Sequence, residues 1–457
     1  MRVKILLLFF VFSFFFKTDT AFDQDLGRHI KLGEIIVQTG QIPKTNLFSY
    51  TNPDFPFINT HWLFGVIAYG FSKTIGLQAF LVLKIIIILL SLWLILKIVP
   101  PQNYVLLLPI GFIFLHVLRE RTALRPEIFS FLFTALTFYI LEKRKTKLFF
   151  LLPIIQLIWI NTHIYFFVGL MLQTIFLVVK RQKLPAIILG FSLVLSLINP
   201  NGISGLLYPL NVTKNYGYTI VENQTLFFLE NINFQDPNFI FVKISAVIVG
   251  ISLFISFIRK QFVIKNILLA SAGVGLALMH VRSFPYLVFL SLPAVLQNIG
   301  PIRKSILTTM IATVFTILAL YESFSYLKES PGLKMAENGK NALDFVINNN
   351  LPNPIFNNFD IGSYIIYRGY PKYRVFVDGR PEAYPADFFT NTYIPMQSDY
   401  ARFKKEEQKW GFKTIVFSHT DQTPWGRNFL QNVVKDPSWE TAYIDNFMVV
   451  LVKKGVN

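Results

Sequence analysis

The sequence predicts an α-helical polytopic membrane bundle of about eleven spans, with an interfacial helix in its first outer loop, followed by a small C-terminal α/β domain. Three observations predict this architecture. Of 457 residues, 53% are hydrophobic and only 15% are charged, whereas soluble domains carry about 25% charged residues. The apolar residues occur in long runs. The basic excess is concentrated in residues 1–322, which hold 27 Lys and Arg against 12 Asp and Glu, so a membrane explains it better than a nucleic acid.

The membrane spans are predicted from apolar runs that approach the roughly 20 residues needed to cross a bilayer. The candidate runs are 3–17, 78–98, 103–118, 126–142, 147–160, 163–180, 184–198, 239–257, 264–280, 283–297 and 304–322. Cytoplasmic loops are enriched in Lys and Arg, and with this count every basic cluster falls on the same side. The count requires residues 60–76 to lie at the interface. The alternative, a twelfth span, would place the basic residues 143–147 outside.

The first apolar run is predicted to be a retained span, with a cleaved signal peptide as the alternative. It has a basic start and a short apolar core, but Asp19 is poorly placed for cleavage after Ala21. Both interpretations put the following chain outside the cytoplasm. We therefore expect a membrane domain over residues 1–322, with its first outer loop at 18–77.

Residues 330–457 differ in composition and are predicted to form an α/β domain outside the cytoplasm. The pattern predicts a helix at Lys340–Asn348 and a strand at Thr414–Ser418. Further β-rich runs occur at 354–356, 363–367 and 374–377, polar helical stretches occur at 386–409, and a closing strand or hairpin occupies 443–452.

The predicted outer turns carry polar residues that are costly near a membrane unless they have a function. The first outer loop begins with the acidic motif Asp23-Gln24-Asp25 and continues with His29 and His61. The other candidates on outer turns are Arg119, Arg125, His163, Glu222 and Arg282. Each of these residues could instead cap a helix or mark an interface, and their common side of the membrane is what favours function. A late stretch, Val377-Asp378-Gly379-Arg380, adds Arg380 as a candidate, with a structural turn as the alternative.

This arrangement resembles the GT-C superfamily of polytopic glycosyltransferases, which use polyprenyl-phosphate-linked sugars. Asp23-Gln24-Asp25 stands where these enzymes have an acidic motif soon after the first span, and Asn59-Thr60-His61-Trp62-Leu63 would lead an interfacial helix. The segments around 48–63, 125–127 and 377–380 resemble those of an uncharacterised bacterial branch of this superfamily. The place of a second acidic residue is open, because Glu120, Glu127 and Glu222 all compete for it.

The resemblance implies a multi-pass enzyme of the cell membrane that builds the cell envelope. It would transfer a hexosyl or pentosyl group from a polyprenyl phosphate to an acceptor glycan, lipid or protein at the extracytoplasmic face. Asp25 or Asp23 would accept the proton of the acceptor. Arg125, Arg119 or Arg282 would bind the donor phosphate, and His29, His61, His163, Glu222 and Arg380 would line the acceptor side.

A cofactor and two other function classes stay open at this point. Asp23, Asp25 and an outer-loop glutamate could bind a divalent metal, but arginines alone could neutralise a monophosphate. Cysteine is absent, which excludes disulfides and thiolate sites. A non-enzymatic transporter or lipid flippase is the alternative function, although the sequence has no internal repeat of the kind transporters show. A membrane anchor whose outer domain binds a partner would leave the outer-turn charges unexplained.

Overall fold

The computed structural model describes residues 2–19, 25–100, 103–143, 146–180, 182–211, 214–303, 305–329 and 332–455. The chain divides into two compact units. The helical unit comprises Met1–Asp19, Gln78–Val212 and Ile220–Lys334, and the mixed unit comprises Thr20–Leu77, Thr213–Thr219 and Met335–Asn457. Residues 18–77 were expected in the membrane domain, but nearly all of this loop packs with the C-terminal residues.

Each predicted span overlaps helical structure of the helical unit, and 283–297 is divided among several short helical elements. The longer helices are Arg2–Ser13, Leu77–Ile98, Tyr104–His116, Glu127–Glu142, Leu151–Thr162, Phe167–Lys180, Lys183–Leu195, Asn238–Ile258, Ile264–Met279, Leu292–Ile299 and Ile306–Glu329. Short helical turns occur at Thr146–Leu148, Ile164–Phe166, Gly202–Leu206, Tyr208–Asn211, Val221–Asn223, Leu226–Asn231, Val281–Ser283, Phe284–Tyr286 and Leu287–Ser291.

Three of these helices are long and apolar enough to cross a membrane, among the residues that the structure describes: Leu77–Ile98, Asn238–Ile258 and Ile306–Lys328. Five others are apolar but shorter, so the number of spans stays a prediction. Large apolar side chains on these helices face outward, and Ile306 is 82% exposed. Exposed apolar surface of this extent is typical of a face that contacts lipid or a partner.

A buried ion pair explains the lysine inside the most apolar span. Lys84 lies on Leu77–Ile98, and its Nζ is 2.6 Å from Oδ2 of Asp19. Both side chains are buried. Since an unpaired charge in an apolar interior is strongly destabilising, the two residues need each other.

The mixed unit is built on a four-stranded sheet. The strand order is Ile355–Asn357, Thr414–Ser418, Met448–Lys453 and Trp439–Ile444. The first two strands are parallel, with Phe356 opposite Ile415, and the other neighbours are antiparallel. Every residue of Thr414–Ser418 is buried, which is typical of a central strand covered on both faces.

The helices of the mixed unit surround this sheet and an aromatic core. They are Leu26–Thr39, Trp62–Thr74, Lys340–Asn348, Gly362–Gly369, Phe388–Tyr393, Ile394–Ser398, Tyr400–Trp410 and Pro424–Val433, with a helical turn at Pro381–Ala383. The sheet contributes Phe356 and Phe417 to the core, and Phe403 and Phe429 join them from the helices.

Two of the predicted strands in this unit are wrong. Residues 363–367 belong to the helix Gly362–Gly369, because Ser363 and its neighbours pack on Leu26–Thr39, where the backbone N–H of Arg28 donates to Ser363 Oγ at 2.9 Å. Residues 374–377 form no regular strand. Val375 instead exchanges backbone hydrogen bonds with Phe48 and Tyr50 of the first loop.

The helix Leu26–Thr39 was not predicted, and it crosses Trp62–Thr74 at a pair of glycines. A Cβ atom on Gly33 would lie 2.0 Å from the carbonyl oxygen of Gly65, and a Cβ on Gly65 would lie 2.8 Å from the carbonyl oxygen of His29. Only glycine permits two helix backbones to approach this closely. His29 also contacts His61, so the two helices run in the same direction and begin at the same end.

We predict that Gly33→Ala disrupts this crossing, while Gly70→Ala in the same helix pair does not. The added methyl group at Gly33 meets backbone, which should cost about 1–3 kcal/mol of the free energy of unfolding. Gly70 has open space around it, and Ala there should stabilise the helix by about 0.5–1 kcal/mol.

Hydrogen exchange of residues 26–39 and 62–74 in the detergent-solubilised full chain measures this effect. Equal protection in Gly33→Ala and Gly70→Ala would contradict the close crossing.

Candidate functional site

Three arginines from two turns of the helical unit converge on one carboxylate. Oε1 of Glu222 is 3.0 Å from Nη1 of Arg121 and accepts a hydrogen bond from Nη1 of Arg125. Oε2 of Glu222 lies 3.7 Å from Nη2 of Arg282. Arg121 also pairs with Glu127, at 2.5 Å. We call these five residues the arginine cluster.

The exposure of the side chains increases from one end of the arginine cluster to the other. The side chains of Arg121 and Glu127 are less than one-tenth exposed, whereas those of Arg282 and Glu222 are 23% and 27% exposed. An anion arriving from solvent would therefore meet Arg282 and Arg125 before the buried Arg121. The three guanidinium groups and two carboxylates leave a formal charge of one positive unit.

Glu222 is ionised in this environment. Burial raises the pKa of its carboxyl, but the positive charges of Arg121, Arg125 and Arg282 act in the opposite direction. Their combined effect exceeds that of burial and holds the pKa well below its ordinary value. A carboxylate held in this way binds cations well and accepts protons poorly.

The loop that carries Glu222 is held by the turn that carries Arg282. Nδ1 of His280 bonds to the carbonyl oxygen of Asn223 at 2.8 Å, and the backbone N–H of Val281 donates to Gln224 at 3.1 Å. The position of Glu222 is therefore fixed by backbone hydrogen bonds in addition to its ion pairs.

His163 connects to the same region through aromatic contacts. Its ring stacks on Tyr165 at 5.4 Å, and the Tyr165 hydroxyl bonds to Ser283, next to Arg282, at 2.6 Å. On its other side, Nδ1 of His163 is 2.6 Å from Oγ of Ser130. The structure thus brings His163, Arg125, Arg282 and Glu222 into one network.

Arg119 does not take part in the arginine cluster. Its guanidinium pairs with Glu120 at 3.3 Å and lies 4.8 Å from the centre of the Tyr326 ring. The chain turns between the helices that end at His116 and begin at Glu127, so Arg119 and Arg121 diverge. Arg121, and not Arg119, pairs with Glu222.

The first loop of the mixed unit holds a second group of polar residues. Nη2 of Arg28 donates to Oδ1 of Asp25 at 2.8 Å. His29 is buried beside His61, with ring centres 5.7 Å apart. Asp23 lies outside the described residues, so Asp25 is the one carboxylate of the acidic motif that the structure describes.

Arg380 is a core residue of the mixed unit. Its Nε and Nη2 donate to the two oxygens of Asp378 at 2.7 and 2.6 Å, and Nη2 also donates to Asn46 at 2.7 Å. Asp378 and Arg380 are fully buried, and Tyr384 also donates to Asp378. This placement corrects the expectation that Arg380 contacts an acceptor, because its donors are engaged inside the fold.

Arg121 and Arg28 are charged partners that the sequence did not indicate as site residues, and Glu127 was only one of three candidates for a second acidic residue. They stand next to selected residues, but nothing in the local pattern distinguishes Arg121 from Arg119. Their importance arises from burial, which depends on how distant segments pack. The sequence feature that points to them is their position close to an apolar span, where a charged side chain usually has a partner of opposite charge.

The described residues contain no group of three or more His, Asp or Glu side chains placed to hold a metal ion. Asp25 pairs with Arg28, and Glu222 pairs with arginines, so neither donor set matches the oxygen cage that divalent cations prefer. No step of the chemistry proposed below is routed through a metal.

Comparison with known proteins bears on the fold. No protein-family model matches the chain, and no curated protein matches it. Among solved structures, it is similar to the archaeal oligosaccharyltransferase AglB from Archaeoglobus fulgidus, determined in complex with an inhibitory peptide and a dolichol-phosphate. The TM-score is 0.59 at 11% identity, over 91% of this chain and 69% of AglB. At this identity the similarity bears on the fold alone, and it supports the mostly helical architecture expected from the sequence.

Proposed function

We propose that this protein is a membrane glycosyltransferase that moves a sugar from a polyprenyl-phosphate donor to an acceptor at the extracytoplasmic face. The observation that carries the proposal is the convergence of Arg121, Arg125 and Arg282 in the helical unit. The fold adds support, because AglB was determined with a dolichol-phosphate.

The arginine cluster suits the phosphate of a lipid-linked sugar. Guanidinium groups form paired, charge-assisted hydrogen bonds with phosphate oxygens. Phosphate is the leaving group of the transfer, and fixed positive charge stabilises the negative charge that develops on it. The surrounding helices are apolar and exposed, as a donor with a polyprenyl tail requires.

We predict that Arg125→Ala and Arg282→Ala each weaken the binding of polyprenyl phosphate by about 10- to 100-fold, because a hydrogen bond to a charged group contributes about 1.5–3 kcal/mol. Arg119→Ala is the matched control and should change binding little. Native mass spectrometry of the purified full chain with added polyprenyl phosphate measures the affinity. Equal loss in all three variants would show that general basicity, and not the arginine cluster, binds the lipid.

The proton acceptor is proposed to be Asp25, with Asp23 as the alternative. The hydrogen bond from Arg28 keeps the carboxylate of Asp25 in a defined orientation. The carboxylate would take the proton of the acceptor hydroxyl or amine as the sugar is transferred. Glu222 is excluded from this role by its lowered pKa.

Replacing the proton acceptor with Asn should lower turnover by about 10²–10⁴-fold while donor binding persists, because general-base assistance has this magnitude. Asp25→Asn and Asp23→Asn are compared in membranes supplied with a panel of polyprenyl-phosphate-linked hexoses and pentoses. Normal transfer by both variants would remove the acidic motif from the mechanism. A wild-type protein without transfer would favour a transporter or lipid flippase.

The proposed orientation places the mixed unit outside the cytoplasm. Reporters fused after Asn457 should behave as extracytoplasmic, and reporters inserted at Lys145 should behave as cytoplasmic, because basic loops face inward. The pair of alkaline phosphatase and green fluorescent protein distinguishes the two sides. A reversed result at either position would be incompatible with an extracytoplasmic site.

A further inference from the structure

We propose that Glu222 determines the charge specificity of the arginine cluster, and that it selects lipid donors with one phosphate over donors with a diphosphate. This inference rests on the proposed function and concerns the class of donor. It starts from an apparent contradiction: a site proposed to bind an anion has a carboxylate at its centre.

The contacts of Glu222 show why its charge matters. It interacts with all three arginines, through Oε1 with Arg121 and Arg125 and through Oε2 with Arg282. Glu127 neutralises part of the charge at the buried end through Arg121. The cluster is therefore left with one uncompensated positive charge, although it contains three guanidinium groups.

One positive charge matches a sugar phosphodiester, which carries one negative charge. A diphosphate link brings a second negative charge, and this charge would be partly desolvated beside Glu222 without a partner. The free energy lost when an unpaired charge is desolvated in a partly buried site exceeds the free energy gained from its attraction to a more distant positive charge. Glu222 therefore penalises the second phosphate.

Removing the negative charge of Glu222 should change the relative affinity for the two kinds of donor in a direction that Coulomb's law gives. The repulsion between Glu222 and a ligand scales with the charge of the ligand. Glu222→Gln thus relieves a diphosphate more than a monophosphate, while the volume of the side chain is kept. At the separations within this cluster, the change in relative affinity should be about tenfold.

The test compares a polyprenyl-phosphate-linked hexose, which carries one negative charge, with the corresponding polyprenyl-diphosphate-linked hexose, which carries two, and polyprenol serves as the uncharged reference. Affinities are measured on the full chain in nanodiscs made of a neutral lipid. We expect wild type to prefer the monophosphate, and Glu222→Gln to shift the ratio of the two affinities about tenfold toward the diphosphate. Glu230→Gln is the matched control, because Glu230 lies on the same loop and pairs with Lys243 at 2.5 Å. It should leave the ratio unchanged.

A second variant guards against misfolding of the first. Glu127→Gln removes the other negative charge of the arginine cluster, so it should shift the ratio in the same direction. If wild type binds both phosphates no better than polyprenol, the proposed donor site itself fails. If wild type binds the phosphate-linked hexose but the ratio is unchanged in both cluster variants, only the role of Glu222 is overturned.

Discussion

The ion pairs of Glu222 are the interaction on which the polar end of the helical unit depends. Three guanidinium groups cannot be packed together in a partly buried region unless an anion lies among them. Glu222 supplies that anion from a long loop between helices, and it joins turns that are far apart in the chain. Since the loop is also held by the turn at His280 and Val281, charge and backbone bonding act together. The arginines are therefore available as a preformed group.

The mixed unit depends on two features of a different kind. The glycines at positions 33 and 65 let two helices touch backbone to backbone, which brings their first residues, including Asp25 and Arg28, to a common end. The buried pair of Asp378 and Arg380 reaches Asn46 of the first loop. The second feature joins the first loop to residues more than 300 positions later, and the loop and the C-terminal segment belong to one compact unit.

The charged groups around each acidic residue favour different proposed roles for them. A carboxylate surrounded by arginines has a low pKa and is a weak base, so Glu222 is suited to set charge and not to move protons. Glu127 pairs with Arg121 in a buried site. Asp25 lies in the first loop, where it pairs with Arg28, and its side chain is 26% exposed. The lowered pKa of Glu222 is the reason why the proton acceptor is proposed from the first loop.

The sequence by itself determined the apolar helical segments, the strand at Thr414–Ser418, the helix at Lys340–Asn348 and the charged turns between apolar segments. These features depend on local composition, because a long apolar run or a short β-branched run has few alternative structures. The tertiary structure alone decided that Arg121 and not Arg119 contacts Glu222, that Arg380 is buried in the core, and that residues 363–367 are helical. Each of these outcomes depends on burial against a distant segment. The contacts of a charged side chain or a short apolar run are set by the residues that pack against it, and the local sequence does not specify those residues.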